Sequence, residues 1–170
     1  PDDFALLKFG SVFGNGANQA PSDVPVAKAW VVITTGTANN AALSNGEWSM
    51  HRMLRDWTTS TLHSELGSLP GVQQSDNDIT APLDSKIGIL FGGEVWFDVT
   101  SYLEGVRTGT PDYGVALKSA TTADGWQIYL NGAGSPDEAF RPRLIVASGN
   151  ASIVAPGLAG DFNGDGKVDG

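Results

Sequence analysis

The densest run of oxygen-bearing side chains in this sequence is Asp161-Phe162-Asn163-Gly164-Asp165-Gly166-Lys167-Val168-Asp169. Oxygens fall on alternate residues at Asp161, Asn163 and Asp165, while the side chains between them point away. Gly166 permits a sharp turn, the Lys167 backbone carbonyl follows it, and Asp169 stands at the ninth position of the loop. This order suits a hard cation wrapped by oxygen, and calcium above all. The twelfth position, which usually supplies the last carboxylate, falls after Gly170. As written the site is incomplete, and calcium would bind weakly unless another chain or further residues finish it.

The second chemical resource is aromatic. Sugar rings stack their C–H faces on exposed indoles, and the chain has five tryptophans. Most tryptophans in a β-protein are core or inter-strand packing. Trp30, Trp96 and Trp126 are the three whose place in the alternation turns them off a main core face, so they are the candidate ligand-binding residues. Catalytic constellations are scarce by comparison. The two histidines, His51 and His63, lack metal-ligand spacing. No Gly-x-Ser-x-Gly elbow and no His-Glu-x-x-His helix occurs. Glu65, Asp76, Asp78 and Asp84 surround a long loop, but nothing sets a pair of them at the separation a glycosidase needs. Gly14-Asn15-Gly16 lacks the third glycine and the following helix of a phosphate loop. The expectation is a non-catalytic protein with no catalytic residues.

Composition narrows the partners. A chain of 170 residues makes one domain, or one domain with an appendage, and it can bury about 70% of its unfolded surface. There is no cysteine, hence no disulfide framework and no thiolate chemistry. A net charge of −9 argues against nucleic acid and against anionic membranes. No apolar run approaches the roughly 20 residues of a membrane span. A chain opening at Pro1 with no leader reads as a processed product or a fragment.

The elements that must position these residues are mostly strands. Val95, Phe97 and Val99 alternate with Trp96, Asp98 and Thr100, which makes a strand with one apolar face. Asp98 or Thr100 then caps a short helical turn carrying Leu103 and Val106 on one side. Arg143 to Val146 alternates likewise, with Pro142 at the strand's start or on an edge. Phe4 to Phe9 turns Ala5, Leu7 and Phe9 one way. Val26 to Thr34 turns Ala27, Ala29, Val31 and Ile33 inward. Lys86 to Phe91, Tyr113 to Lys118 and Trp126 to Leu130 are further strands. Glu47 to Trp57 fits a helix slightly better than a bulged strand, because Met50, Met53, Leu54 and Trp57 sit at helical spacing. Short strands at near-regular spacing, with 22 glycines to turn between them, predict an all-β antiparallel sandwich. Residues 1–148 form that sandwich, 149–160 a linker, and 161–170 the partial calcium loop.

Several of these runs together resemble the DNRLRE-type domain. They are Ala5-Leu6-Leu7-Lys8-Phe9, the Ala27 to Ile33 strand, and Met50 to Trp57 with Thr59-Ser60-Thr61. Trp96-Phe97-Asp98-Val99-Thr100, Asp112 to Lys118 and Arg141-Pro142-Arg143-Leu144 complete the set. Some members of that family are described as carbohydrate-binding modules, particularly of alginate-degrading enzymes. Over residues 4 to 147 the resemblance implies a jelly-roll-like sandwich of a secreted bacterial protein. It also implies that Glu47 to Trp57 is strand. The family usually has one or two strands ahead of Leu-Leu-Lys-Phe, and here only three residues precede Phe4. That departure implies an exposed edge or an unfilled groove that invites another strand. The terminal loop resembles the first half of a dockerin repeat.

Two functions follow as expectations for a protein placed outside the cell or on its surface. One is carbohydrate binding or surface attachment, with polysaccharide as partner. The other is a structural subunit in which the missing strand comes from another copy, with Ala151-Ser152-Ile153-Val154 as donor. Passed head to tail, such a contact does not close and builds a fibre.

Overall fold

Strand β2 (Val26–Thr34) is the centre of the smaller of two sheets in the computed structural model, which describes residues 4–36, 47–66, 71–87, 93–119 and 132–149. On one side it pairs with β5 (Glu94–Asp98) and on the other with β7 (Arg143–Ser148), both antiparallel. The two best-patterned runs of the sequence therefore flank a common partner. The second sheet has four antiparallel strands in the order β1 (Phe4–Leu7), β6 (Val115–Ser119), β3 (Glu47–Met53), β4 (Ile79–Ile87). The described residues form an antiparallel all-β sandwich with one short helix, α1 (Thr100–Arg107).

The core lies where the inner faces meet. Ala29, Val31 and Ile33 of β2 and Val95 and Phe97 of β5 oppose Trp48 and Met50 of β3 and Val115 and Leu117 of β6. Fully burying such side chains contributes roughly 1.5–3 kcal/mol each, before the chain entropy that opposes it. Val26 joins this core, whereas the alternation predicted Ala27. The cause is a register shift between Val26 and Lys28, which advances the phase by one residue. The outer face of the larger sheet is also covered. Met53, Leu66, Val72, Ile79 and Ala116 form a second cluster there, with Phe4, Leu6, Trp57 and Tyr113 against it.

Glu47 to Met53 is a strand, against its helical spacing. Two register irregularities, between Met50 and His51 and between His51 and Met53, disturb the period of two that would have announced it. β4 (Ile79–Ile87) takes in Lys86 and Ile87 of the strand expected at Lys86 to Phe91, the rest of which lies outside the described residues, and it begins earlier than the alternation showed. Pro82, Asp84 and Ser85 mask it in the sequence, and they are tolerated because β4 is a sheet edge. Asp98 accepts a bond from the Thr100 N–H at 2.8 Å at the mouth of α1, and Tyr102 and Leu103 carry the helix into the core. Glu104 ties the helix back to β2 by accepting from the Val26 N–H at 3.0 Å. The Arg107 guanidinium, and then that N–H, hold the Glu104 carboxyl down at about 2. Trp126 to Leu130 and residues 150–170 lie outside the described residues.

Candidate functional site

The sandwich is open on one side, between β7 and the loop that follows β1. A groove of about 540 Å³ runs there. Leu144, Val146 and Ser148 form one wall along β7, and Phe9, Val12 and Asn18 are among the residues of the other. Among the described residues no ionisable side chain lines it, in a protein whose net charge is −9.

The loop wall is built around Gln19. Its Oε1 accepts from the Gly16 N–H at 2.7 Å, and its Nε2 donates to the Ser11 carbonyl at 2.9 Å. Backbone bonds from Ala20 N–H to Val12 O (2.8 Å) and from Gly14 N–H to Ala20 O (3.0 Å) close the loop below it. A Cβ at Gly14 would stand 2.4 Å from Gln19 Oε1. A side chain at Gly14 would therefore push the Gln19 amide out of its clamp, and the φ of +156° favours glycine there. The glycines noticed in the sequence thus lie against a side-chain clamp.

The β7 wall carries backbone capacity. Gly149 N–H donates to Pro25 O at 2.9 Å, toward β2. In a regular strand successive residues alternate sides, so the amides of Ala147 and Ile145 also face β2. Those of Leu144, Val146 and Ser148 face away from it. Among the described residues no strand pairs with β7 on that side.

The other edges are guarded. β4 carries Pro82 and the bulged register with β3. The free side of β5 is caught by Asp84, whose Oδ2 accepts the Asp98 N–H at 2.8 Å. β1 is only four residues long. Short strands, proline and bulges all blunt edge pairing.

Of the tryptophans expected to bind ligand, two lie among the described residues. Trp30 and Trp96 do face away from the main core, on the outer side of the smaller sheet, but Trp30 is only 5% exposed. The two rings meet edge to face with centroids 6.0 Å apart, an arrangement that packs them against each other. Trp48 is in the core, and Trp57 donates its indole N–H to Tyr113 O at 2.8 Å. Trp126 is outside the described residues, as are Asp161, Asn163, Asp165, Lys167 and Asp169. Among the described residues no group of three or more His, Asp or Glu side chains is placed to hold a metal.

Sequence reasoning passed over one polar pair. Ser49 Oγ lies 2.7 Å from His51 Nε2, and His51 Nδ1 lies 2.8 Å from Thr80 O. A carbonyl can only accept, so Nδ1 carries the proton and Nε2 accepts from the Ser49 hydroxyl. Burial pushes the imidazole below its ordinary 6.5 against the Thr80 bond, and nearby Lys118 adds to the push. Both side chains are buried, so the pair is a satisfied packing element rather than a presented nucleophile. Its signal was the Ser-x-His spacing on one face of a strand, legible only once Glu47 to Met53 is read as strand.

No family model matches this chain, and no curated protein matches it.

Proposed function

We propose that this chain is a non-catalytic, extracellular β-sandwich module that connects or attaches, and that its working site is the groove along β7. The observation that supports this best is the row of N–H and C=O groups at Leu144, Val146 and Ser148, which no described strand pairs, beside apolar side chains. An edge of that kind binds an extended polypeptide by strand addition: the ladder supplies affinity and alternate side chains fill the groove. The resemblance of residues 4 to 147 to the DNRLRE-type, jelly-roll-like domain points to the same architecture with a strand missing. Supplied by another copy, that strand would link copies head to tail.

A second occupant, a polysaccharide, is favoured by the uncharged Ser11, Asn18 and Ser148 on the groove wall. The packed state of Trp30 and Trp96 weighs against it. The calcium loop at Asp161, Asn163, Asp165, Lys167 and Asp169 fits the same extracellular role, as an attachment appendage.

Ser148→Pro tests the site. It deletes a single N–H that no described strand takes up, and proline is accepted on an edge strand. Sedimentation velocity over rising concentration is expected to show association of the unaltered chain and none for the variant, with equal melting temperatures. Association that survives the substitution would overturn strand addition at β7. Retardation of the monomer in a polysaccharide-loaded gel would favour the sugar instead.

A further inference from the structure

We propose that Asn15-Gly16 is a self-modification site: the Gly16 nitrogen closes on the Asn15 side chain and expels ammonia, and Gln19 sets the rate at which it does so.

The chemistry belongs to Gly14-Asn15-Gly16, the run that lacks the makings of a phosphate loop. An asparagine carboxamide carbon and the backbone nitrogen of the next residue are the two ends of an incipient succinimide ring. What ordinarily keeps them apart is the next residue's side chain and the stiffness it lends the backbone. Gly16 has no side chain to do so. Asn15 and Gly16 are both exposed to the water and hydroxide that the reaction uses. The Gly16 N–H gives its proton to solvent base, and the bond from its nitrogen to Asn15 Cγ forms. The bond from Cγ to the side-chain nitrogen breaks, and that nitrogen takes up a proton and leaves as ammonia. Water then opens the succinimide at either carbonyl, leaving aspartate or isoaspartate at position 15. No electrons change hands.

One side chain stands in the way. The nucleophile is the Gly16 nitrogen after it has lost its proton, and that N–H donates to Gln19 Oε1 at 2.7 Å. A hydrogen bond made by the protonated form favours that form, and it also fixes the direction of the N–H. Gln19 N–H returns to Gly16 O at 3.2 Å, through Asn18 at a φ of +64°. Gln19 therefore grips Gly16 at both its N–H and its carbonyl, and is itself anchored by Nε2 to Ser11 O at 2.9 Å. The clamp that shapes the loop wall also restrains a reactive pair within it.

Conversion would reach the groove, on the reading of it proposed above. Asn18 and Gln19 line that groove, whose described lining holds no ionisable side chain. A carboxylate at position 15 brings charge to the same turn. Isoaspartate also adds a methylene to the backbone beside the Gly16 bonds. Converted chains should associate less along β7 than unconverted ones.

The sequence has four Asn-Gly pairs, so conversion is followed pair by pair, by peptide mapping and mass spectrometry after incubation at mildly alkaline pH. Position 15 is expected to convert measurably in the folded chain, and more slowly than in the same chain held in urea. Gln19→Ala should speed it by roughly two- to tenfold, the span of one net hydrogen bond. Gln19→Glu, whose carboxylate still accepts from the Gly16 N–H, should keep the slow rate. Loss of the clamp raises position 15 alone, whereas a variant that fails to fold raises all four pairs to their rates in urea. In that event Gln19→Glu carries the test, and a rate equal to that in urea overturns the gate. Equal rates in the unaltered and Gln19→Ala chains overturn it as well. No conversion at position 15 in any folded chain overturns the site. Converted chains, separated by anion exchange, that associate like unconverted ones overturn the effect on the groove and leave the site standing.

Discussion

His51 shows how one buried side chain makes this fold sensitive to acid. The imidazole sits between Ser49 and Thr80 O on the face of the larger sheet, with Lys118 adding positive charge nearby and Glu47 opposing it. Its folded value lies below 6.5, chiefly through burial. Above 6.5 the ring is neutral in both folded and unfolded chains, and pH has no leverage through it. Below 6.5 the unfolded chain takes up a proton that the folded chain resists, so stability falls with pH until the folded value is passed. The urea midpoint of the unaltered protein is thus expected to drop between a pH above 6.5 and one below it. His51→Gln keeps polar partners without titrating and should show a smaller drop; equal drops would remove His51 as the cause. Asp78 is buried too, but satisfied: its oxygens accept from Arg55 Nη1 at 2.9 Å and from Gln73 N–H at 3.1 Å. It holds the covering segment over the second cluster and offers nothing to a ligand.

At the scale of elements, the junction of β1 with β6 is the tightest backbone approach. Gly114 enters β6 with a φ of +84°, and a Cβ there would stand 2.3 Å from the Leu7 carbonyl oxygen. The neighbouring atom is backbone, so no side chain can yield. Gly114→Ala combines an unfavourable conformation with this clash, and the expected loss is ~3 kcal/mol, read from the denaturant midpoint. A loss below ~1 kcal/mol would mean β1 can shift away freely, and the loop wall of the groove with it. The opposite side of the sandwich is secured by Asp84, through which β4 holds the end of β5. That leaves β7 as the strand whose free edge carries no comparable guard among the described residues.

For the whole molecule, the described residues form a sandwich whose β5 edge is held by Asp84 and whose β7 edge no described strand covers. Among the described residues the groove carries no charge, in a chain of net charge −9 whose like charges oppose non-specific association. For the terminal sequence Asp161 to Asp169 the proposed capacity is calcium binding. Calcium titrated into the 170-residue chain is expected to bind weakly by calorimetry, and Asp165→Ala should abolish the heat. A chain continued to a carboxylate at the twelfth position should bind at least about tenfold more tightly. Equal affinity with and without that carboxylate would argue for a solvated turn instead.

By itself the sequence determined the strands whose one apolar face is unbroken. Ala29-Val31-Ile33, Val95-Phe97 and Leu144-Val146 each declare their inner side by a period of two, and Leu103 and Val106 declare the helix. It also determined the class, because short strands separated by turn residues have few ways to bury their faces except against one another. Other features depended on which strands lie side by side, and that only the tertiary structure decided. The phase slip at Ala27, the strand hidden by Pro82 and the bulges of β3 are tolerated because of neighbours far away in the chain. Trp30 and Trp96 pack together because β2 and β5 are adjacent. The groove likewise belongs to no single segment: it exists because the loop clamped by Gln19 faces β7 across more than a hundred residues of chain, at an edge no described strand covers. Local alternation records what a strand buries, and it carries no record of what lies alongside.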